Sequence, residues 1–414
     1  MSLLSIPPRH GRVSRTRAVA RQVTSGGAIL VLLLLAACGD SSGPDGGGGG
    51  GGGATLSGTV RAAVSSEPLA DATVSIGTRE ASSDANGQFE LTEVPIGAAT
   101  VRVQRNGYLP AEATVTLNAG ANSRDFALTP QETYIVGANA VLVPAGVGPM
   151  RGAIIVLGGP VASGFVTGER LTTSESSPEL EESLQSMGAS LRALARSAHV
   201  ALLGAKTTGM TNSAASDDAL FAALTTALET SGQSGIADMP VLVFGLSGGA
   251  PEAAGLVSRH PERAIALIVR VPTAVAALTT PEQLAVPTFV MQAELDIVRV
   301  NTAVQATFAD NRSRGGLWAL SVEPGVEHEE ASSRGNGAAI GWIGNALALR
   351  LSATPGEPLI PLDQVSGWLG NQATLEIAPW SDYPGDRSTA SWLPSETAAT
   401  SWKLLGTPKG SGGE

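Results

Sequence analysis

The chain has 414 residues, 43% hydrophobic and 15% charged, with 26 basic against 37 acidic side chains and a net charge of −11. That composition supplies a globular core and excludes a polytopic membrane protein, a fibrous repeat and global disorder. The acidic balance argues against a nucleic-acid partner, because phosphate binding needs a positive face, and the lone Cys38 excludes both an internal disulfide and a cysteine metal cluster.

Before residue 28 the charged side chains are Arg9, Arg12, Arg15, Arg17 and Arg21, and an apolar run over 28–37 follows. The run is too short to span a bilayer. It ends in Leu35-Ala36-Ala37-Cys38, which resembles the lipobox of bacterial lipoproteins. The resemblance implies removal of residues 1–37, lipidation of Cys38 and anchoring in a bacterial cell envelope, with the domains facing the periplasm or the exterior. The removed arginines leave the mature chain more acidic still. Residues 38–54 include Gly46 to Gly53 without interruption, a composition that stays a flexible tether.

From 55 to 130 the pattern is that of a small β-sandwich. Runs such as Ala72-Thr73-Val74-Ser75-Ile76, Gln88-Phe89-Glu90-Leu91 and Thr100-Val101-Arg102-Val103 alternate apolar and polar residues, and turn residues separate them. Asn86-Gly87 supplies a tight hairpin, and Gly107-Tyr108 is placed just before the last strand. Through Gly58-Thr59-Val60, Pro68-Leu69, Asp84-Ala85-Asn86-Gly87-Gln88-Phe89, Pro95-Ile96-Gly97 and Gly107-Tyr108 the segment resembles the carboxypeptidase regulatory-like domain, a transthyretin-like sandwich. It contains no histidine, and a spacer or stabilising role fits it best.

Over 131–352 the pattern changes to alternating strands and helices, which implies βαβ units and a mostly parallel sheet with flanking helices. Strands are expected over 153–157, 200–203, 241–244, 264–269, 288–292 and 317–322. One helix carries Leu180, Leu184, Met187, Leu191 and Leu194 on one face, and a second, capped by Ser216-Asp217-Asp218, carries Leu220, Leu224 and Leu228. A further helix follows over 338–351.

The strand over 241–244 runs directly into Gly245-Leu246-Ser247-Gly248-Gly249. In a chain with 51 glycines the bare Gly-x-Ser-x-Gly string is common by chance, but here it stands between a strand and a helix, where a strained turn exposes a nucleophile. Ser247 needs a base. His10 leaves with the signal, His199 precedes the serine, and His260 ends the helix after it, roughly 20 Å away at 1.5 Å per residue. His328 follows the strand over 317–322 in a loop and is the candidate base. Asp296, just past the strand over 288–292, is the candidate orienting acid, with Glu294 as its rival. An oxyanion hole needs two N–H groups. Gly248 supplies one, and Leu157-Gly158-Gly159-Pro160 resembles the His-Gly-Gly-Pro loop of many hydrolases, with Leu157 in place of the histidine, so Gly159 is the second donor and Val161 the fallback. No cofactor is called for: the dinucleotide and Walker motifs are absent.

The ordered set resembles the α/β-hydrolase superfamily. It implies a lipid-anchored serine hydrolase cleaving the carboxylic ester, or alternatively an amide or thioester, of a small or polymeric substrate, Ser247, Asp296 and His328 forming the triad. The other reading is a catalytically silent envelope lipoprotein that binds a polymer or surface component through its sandwich and tail. That tail, 353–414, is irregular in pattern and holds Trp368, Trp380, Trp392 and Trp402, as expected for a strap that buries tryptophan.

Overall fold

A computed structural model describes residues 53–159, 161–169, 178–233, 238–328 and 332–408. The segments read as signal (1–37), lipidated Cys38 and tether (up to Gly52) lie outside these residues, as does Pro160.

The first described region is a two-sheet sandwich. One sheet is built on β1 (Ala54–Ala62), flanked by β4 (Gln88–Val94) and β7 (Gly120–Ser123), with β8 (Phe126–Leu128) also pairing with β1. The other runs β3 (Arg79–Ser82), β2 (Thr73–Ile76), β5 (Gly97–Gln104), β6 (Ala111–Leu117). The alternation in sequence becomes alternation in burial: Leu56, Val60, Phe89 and Leu91 from one sheet face Val74, Ile76, Val101 and Val103 from the other. The turn before β4 is held by Asp84 Oδ1, which accepts the amides of Asn86 and Gln88 at 2.9 and 2.8 Å. Gly87 takes φ +73°, and a Cβ there would lie 2.4 Å from the Val60 carbonyl oxygen. Gly107 and Tyr108 do not precede the last strand as expected. β6 is followed by β7 and β8, whose short runs carry too few alternating residues to stand out.

The second region is an eight-stranded mixed sheet with helices on both faces. Its order is β16 (Trp318–Glu323), β15 (Thr288–Ala293), β14 (Ala264–Arg270), β13 (Val241–Leu246), β11 (Gly152–Gly158), β12 (Val200–Lys206), β10 (Asn139–Leu142), β9 (Thr133–Val136). Only β10 runs against the rest, pairing antiparallel with both neighbours. The β9–β10 hairpin turns at Gly137, φ +60°, and replaces the strand–helix alternation expected at the start of 131–352. Neighbouring residues of β11 feed opposite layers. Ile155 and Leu157 pack with Leu220, Leu224 and Leu256 of α3 (Ala214–Thr230) and α4 (Ala250–Arg259), and with α6 (Val298–Ser313) through Val304 and Phe308. Ile154 and Val156 pack with Phe165 of α1 (Val161–Thr167), Leu191 of α2 (Pro178–Ala198), and Trp342 and Ile343 of α7 (Ser333–Arg350). Each such buried side chain contributes about 1.5–3 kcal/mol, and a sheet covered on both faces yields the continuous apolar runs seen in the sequence. A short helix, α5 (Pro281–Leu284), precedes β15.

Two helix starts differ from expectation. α3 begins at Ala214 with Ser213 as its cap, because the Ser213 hydroxyl accepts the Ser216 amide, and Asp217 is turned inward. α7 begins at Ser333, capped by Ser332, five residues before its first buried alanine.

The tail is more regular than its pattern suggests. β17 (Trp368–Gly370) pairs with β18 (Ile377–Pro379) and β19 (Ser391–Leu393), and α8 (Glu396–Gly406) packs against α7 and β16. Trp392 and Trp402 are completely buried, and the indole N–H of Trp402 donates to the Leu320 carbonyl in β16 at 2.5 Å. Three-residue strands have no readable period, which is why the sequence conceals them.

Candidate active site

The sheet changes direction of winding at β11. The chain passes from β11 to β12 on one side, then crosses back to β13 on the other, so the loops after β11 and β13 diverge and leave a crevice at the carboxyl ends of the strands. Ser247 is the first residue after β13, at this switch point. Its φ is +50°, a left-handed backbone that costs a non-glycine residue about 1–3 kcal/mol and persists only where the surroundings enforce it.

The flanking glycines enforce it by close approach. A Cβ on Gly245 would come within 2.7 Å of both Ala250 Cα and Ala253 Cβ, and one on Gly249 would lie 2.3 Å from the Leu157 carbonyl oxygen. Strand, 3-10 turn (Ser247–Gly249) and helix α4 therefore fit together only with glycine at these two positions. Gly248 faces open space instead.

Two loops from the far half of the sheet complete the constellation. Asp296 follows β15 and is buried, with a 3% exposed side chain, and His328 follows β16. Ser247 Oγ lies 2.7 Å from His328 Nε2, and His328 Nδ1 lies 2.7 Å from Asp296 Oδ2. The other Asp296 oxygen accepts the Ile297 amide at 2.7 Å, which fixes the carboxylate plane. The rival acid has a different partner: Glu294 Oε2 accepts the Gly325 amide at 2.7 Å. Backbone bonds from Glu294 N to Glu323 O and from Leu295 N to Val326 O, each 3.0 Å, hold the two loops side by side.

The remaining histidines lie elsewhere. His199 is exposed before β12. His260 caps the end of α4, 3.2 Å from Asp217 Oδ2, while Arg259 grips both oxygens of Asp217 at 2.6 and 2.9 Å. Arg259 also donates to Asn212 Oδ1, and Asn212 donates to the Pro251 carbonyl, so this cluster fastens α3 and the loop after β12 to the helix that follows Ser247. The Asp217 carboxylate pushes the Arg259 guanidinium above its ordinary value, chiefly by hydrogen bonding. Sequence reading missed this cluster, because Asp217 fits equally well as a capping acid.

The two candidate oxyanion donors come from both sides of the crevice. The Gly158 carbonyl accepts the Thr207 amide at 2.8 Å and its hydroxyl at 3.1 Å, on the β12 side. Carbonyl and N–H point in opposite directions in a trans peptide, so the Gly159 N–H of the same plane points away from Thr207. Gly248 follows Ser247 in chain and is exposed, and Val161, the fallback donor, begins α1. A separate cleft of about 790 Å³ is lined by residues including Asp71, Arg105, Tyr108, Gln131 and Ser231, and no histidine is among its described lining residues.

Comparison with known proteins bears on the sandwich. The family model of the carboxypeptidase regulatory-like domain matches residues 55–129. This segment is a carboxypeptidase regulatory-like domain. No curated protein matches the chain. Among solved structures, a candidate carbohydrate-binding protein from Bacteroides uniformis is 16% identical with a TM-score of 0.18, covering 22% of this chain and 51% of its own. The present chain thus spans about half of that structure's length. A type II cohesin–X-dockerin complex from Acetivibrio cellulolyticus is 19% identical with a TM-score of 0.20, over 38% of this chain and 99% of its own. Scores this low transfer neither fold nor function. Outside the regulatory-like domain, the site rests on its own geometry.

Proposed function

We propose that residues 131–352 form an α/β-hydrolase domain and that the protein is a serine hydrolase acting on a carboxylic ester. The observation that carries the proposal is the unbroken chain of 2.7 Å contacts from Ser247 through His328 to Asp296, beginning at a serine with φ +50°. His328 Nε2 takes the hydroxyl proton as Ser247 Oγ attacks the ester carbonyl carbon. The carbonyl π electrons move to oxygen, where the amides of Gly248 and Gly159 receive the charge. Collapse of the tetrahedral species expels the alcohol, protonated by His328, and leaves an acyl-serine. Water, deprotonated by the same imidazole, then releases the acid. Asp296 keeps the Nδ1 proton of His328 in place and stabilises the imidazolium.

The same proposal places the protein in a bacterial cell envelope, tethered through lipid on Cys38, with the glycine-rich segment as spacer and the regulatory-like domain between spacer and hydrolase. A series of p-nitrophenyl esters of increasing chain length tests the activity. Hydrolysis by the wild type and its loss in Ser247→Ala support the proposal. Equal rates in the two proteins overturn it.

A further inference from the structure

A second polar cluster lies at the carboxyl ends of β14 and β16. Glu323 is the last residue of β16 and only 4% exposed, and Ser332 caps α7, so these two residues bound the loop that carries His328. The Ser332 hydroxyl donates to Glu323 Oε1 at 2.5 Å while accepting the Gly335 amide at 2.8 Å. Arg270, ending β14, stands over the same spot. A Cβ on Gly335 would come within 2.8 Å of Arg270 Nη2, 2.9 Å of Glu323 Oε2 and 3.0 Å of Ser332 Oγ, so glycine is what lets the three groups converge. Arg270 further donates to Asn336 Oδ1 at 2.6 Å, and Asn336 reaches the carbonyl and hydroxyl of Ser183 in α2, both at 2.8 Å.

We infer that Glu323 and Ser332 are positioning residues for His328, a clasp that closes the base of its loop over the Arg270 guanidinium. The inference rests on the hydrolase reading. Its physical logic is that of pinning a loop at several points. The Glu323 carbonyl is bonded to the Glu294 amide, the Gly325 amide to the Glu294 carboxylate, and the Val326 carbonyl to the Leu295 amide, all tying the outgoing strand of the loop to the Asp296 segment. Ser332 ties the returning end back to Glu323. A loop held at its base has fewer conformers to lose when the imidazole must meet both Ser247 and Asp296. Burial pushes the Arg270 guanidinium below its ordinary value and the Glu323 charge opposes that shift, as expected of opposite charges enclosed together.

Steady-state hydrolysis of p-nitrophenyl butyrate by the full chain tests the clasp, with fluorophosphonate labelling of the wild type run alongside. Ser332→Ala is expected to lower kcat about 10- to 100-fold and leave KM within about threefold, because an imidazole displaced by a fraction of an ångström fails mainly in the transition state. Ser332→Thr keeps the hydroxyl and restores kcat. Ser395→Ala removes the cap of α8, whose hydroxyl accepts the Ala398 amide at 3.1 Å, and controls for a simple loss of helix capping. It is expected to lower the denaturation midpoint comparably while keeping the wild-type kcat. A wild-type kcat in Ser332→Ala, or an equal loss in Ser395→Ala, overturns the clasp and leaves the hydrolase reading standing. Absence of labelling and hydrolysis in the wild type overturns both.

Discussion

Glu294 and Asp296 stand two residues apart in one turn, yet only Asp296 reaches the imidazole, because the Glu294 carboxylate is occupied by the Gly325 amide at 2.7 Å. The two acids therefore have separable consequences. Asp296→Asn favours the wrong imidazole tautomer and is expected to lower kcat by about 10³- to 10⁴-fold. Glu294→Gln keeps an acceptor for Gly325 and is expected to stay within about tenfold of wild type. Combining Asp296→Asn with His328→Ala should cost little more than His328→Ala alone, since triad members act as a unit. Losses that multiply would place the acid elsewhere.

The glycines of the Ser247 turn make a contrasting set. Gly249→Ala forces a Cβ to within 2.3 Å of the Leu157 carbonyl and is expected to cost about 3 kcal/mol or more, or to displace Ser247. Gly248→Ala meets no atom within 4 Å and should leave the urea midpoint nearly unchanged. Urea denaturation of both variants checks the pair.

His260 serves packing in this account. Its ring meets Phe221 edge-on at 5.2 Å and touches Asp217, so His260→Ala is expected to lower stability by about 1–2 kcal/mol while the purified folded variant keeps its kcat. Asp217→Ala leaves Arg259 without its carboxylate and should be more damaging, about 2–4 kcal/mol. Thermal melts at fixed pH distinguish the two. A dead but fully folded His260→Ala would contradict the choice of base.

The tail holds the edge of the sheet. Trp402 is 1% exposed and lies against Gly370, where a Cβ would meet its ring at 2.6 Å. Trp402→Ala is expected to cost about 3–5 kcal/mol and to loosen β16, the strand from which His328 is presented. Urea midpoints measured with and without the substitution test this.

Anchoring has its own test. Cys38→Ser removes the sulfur that the proposed lipid anchor would use, so under that proposal the variant should accumulate as precursor or leave the membrane fraction. Fractionation and radiolabelled palmitate incorporation read this out, and equal membrane retention with normal processing would contradict the lipid anchor.

Most of the sheet was legible because its strands are buried on both faces and read as apolar runs. Ser247 was legible through its strand–turn–helix context. His328 and Asp296 were reached by chain order and elimination, and the structure brings the three together. Less was legible where contacts are long-range. The β9–β10 hairpin and the strands of the tail are too short to show a period. Glu323, Ser332 and Arg270 are distant in sequence, and nothing local marks an acid at a strand end as one that will be buried beside an arginine. The role of Glu294 depends on a single amide in another loop, so only coordinates separate it from Asp296.

The most direct test of the central claim is mass spectrometry of the protein after treatment with a fluorophosphonate. One stable adduct is expected, mapped to the peptide that contains Ser247, absent in Ser247→Ala and formed far more slowly in His328→Ala. No adduct on the folded wild type, or an adduct that persists in Ser247→Ala, would contradict it.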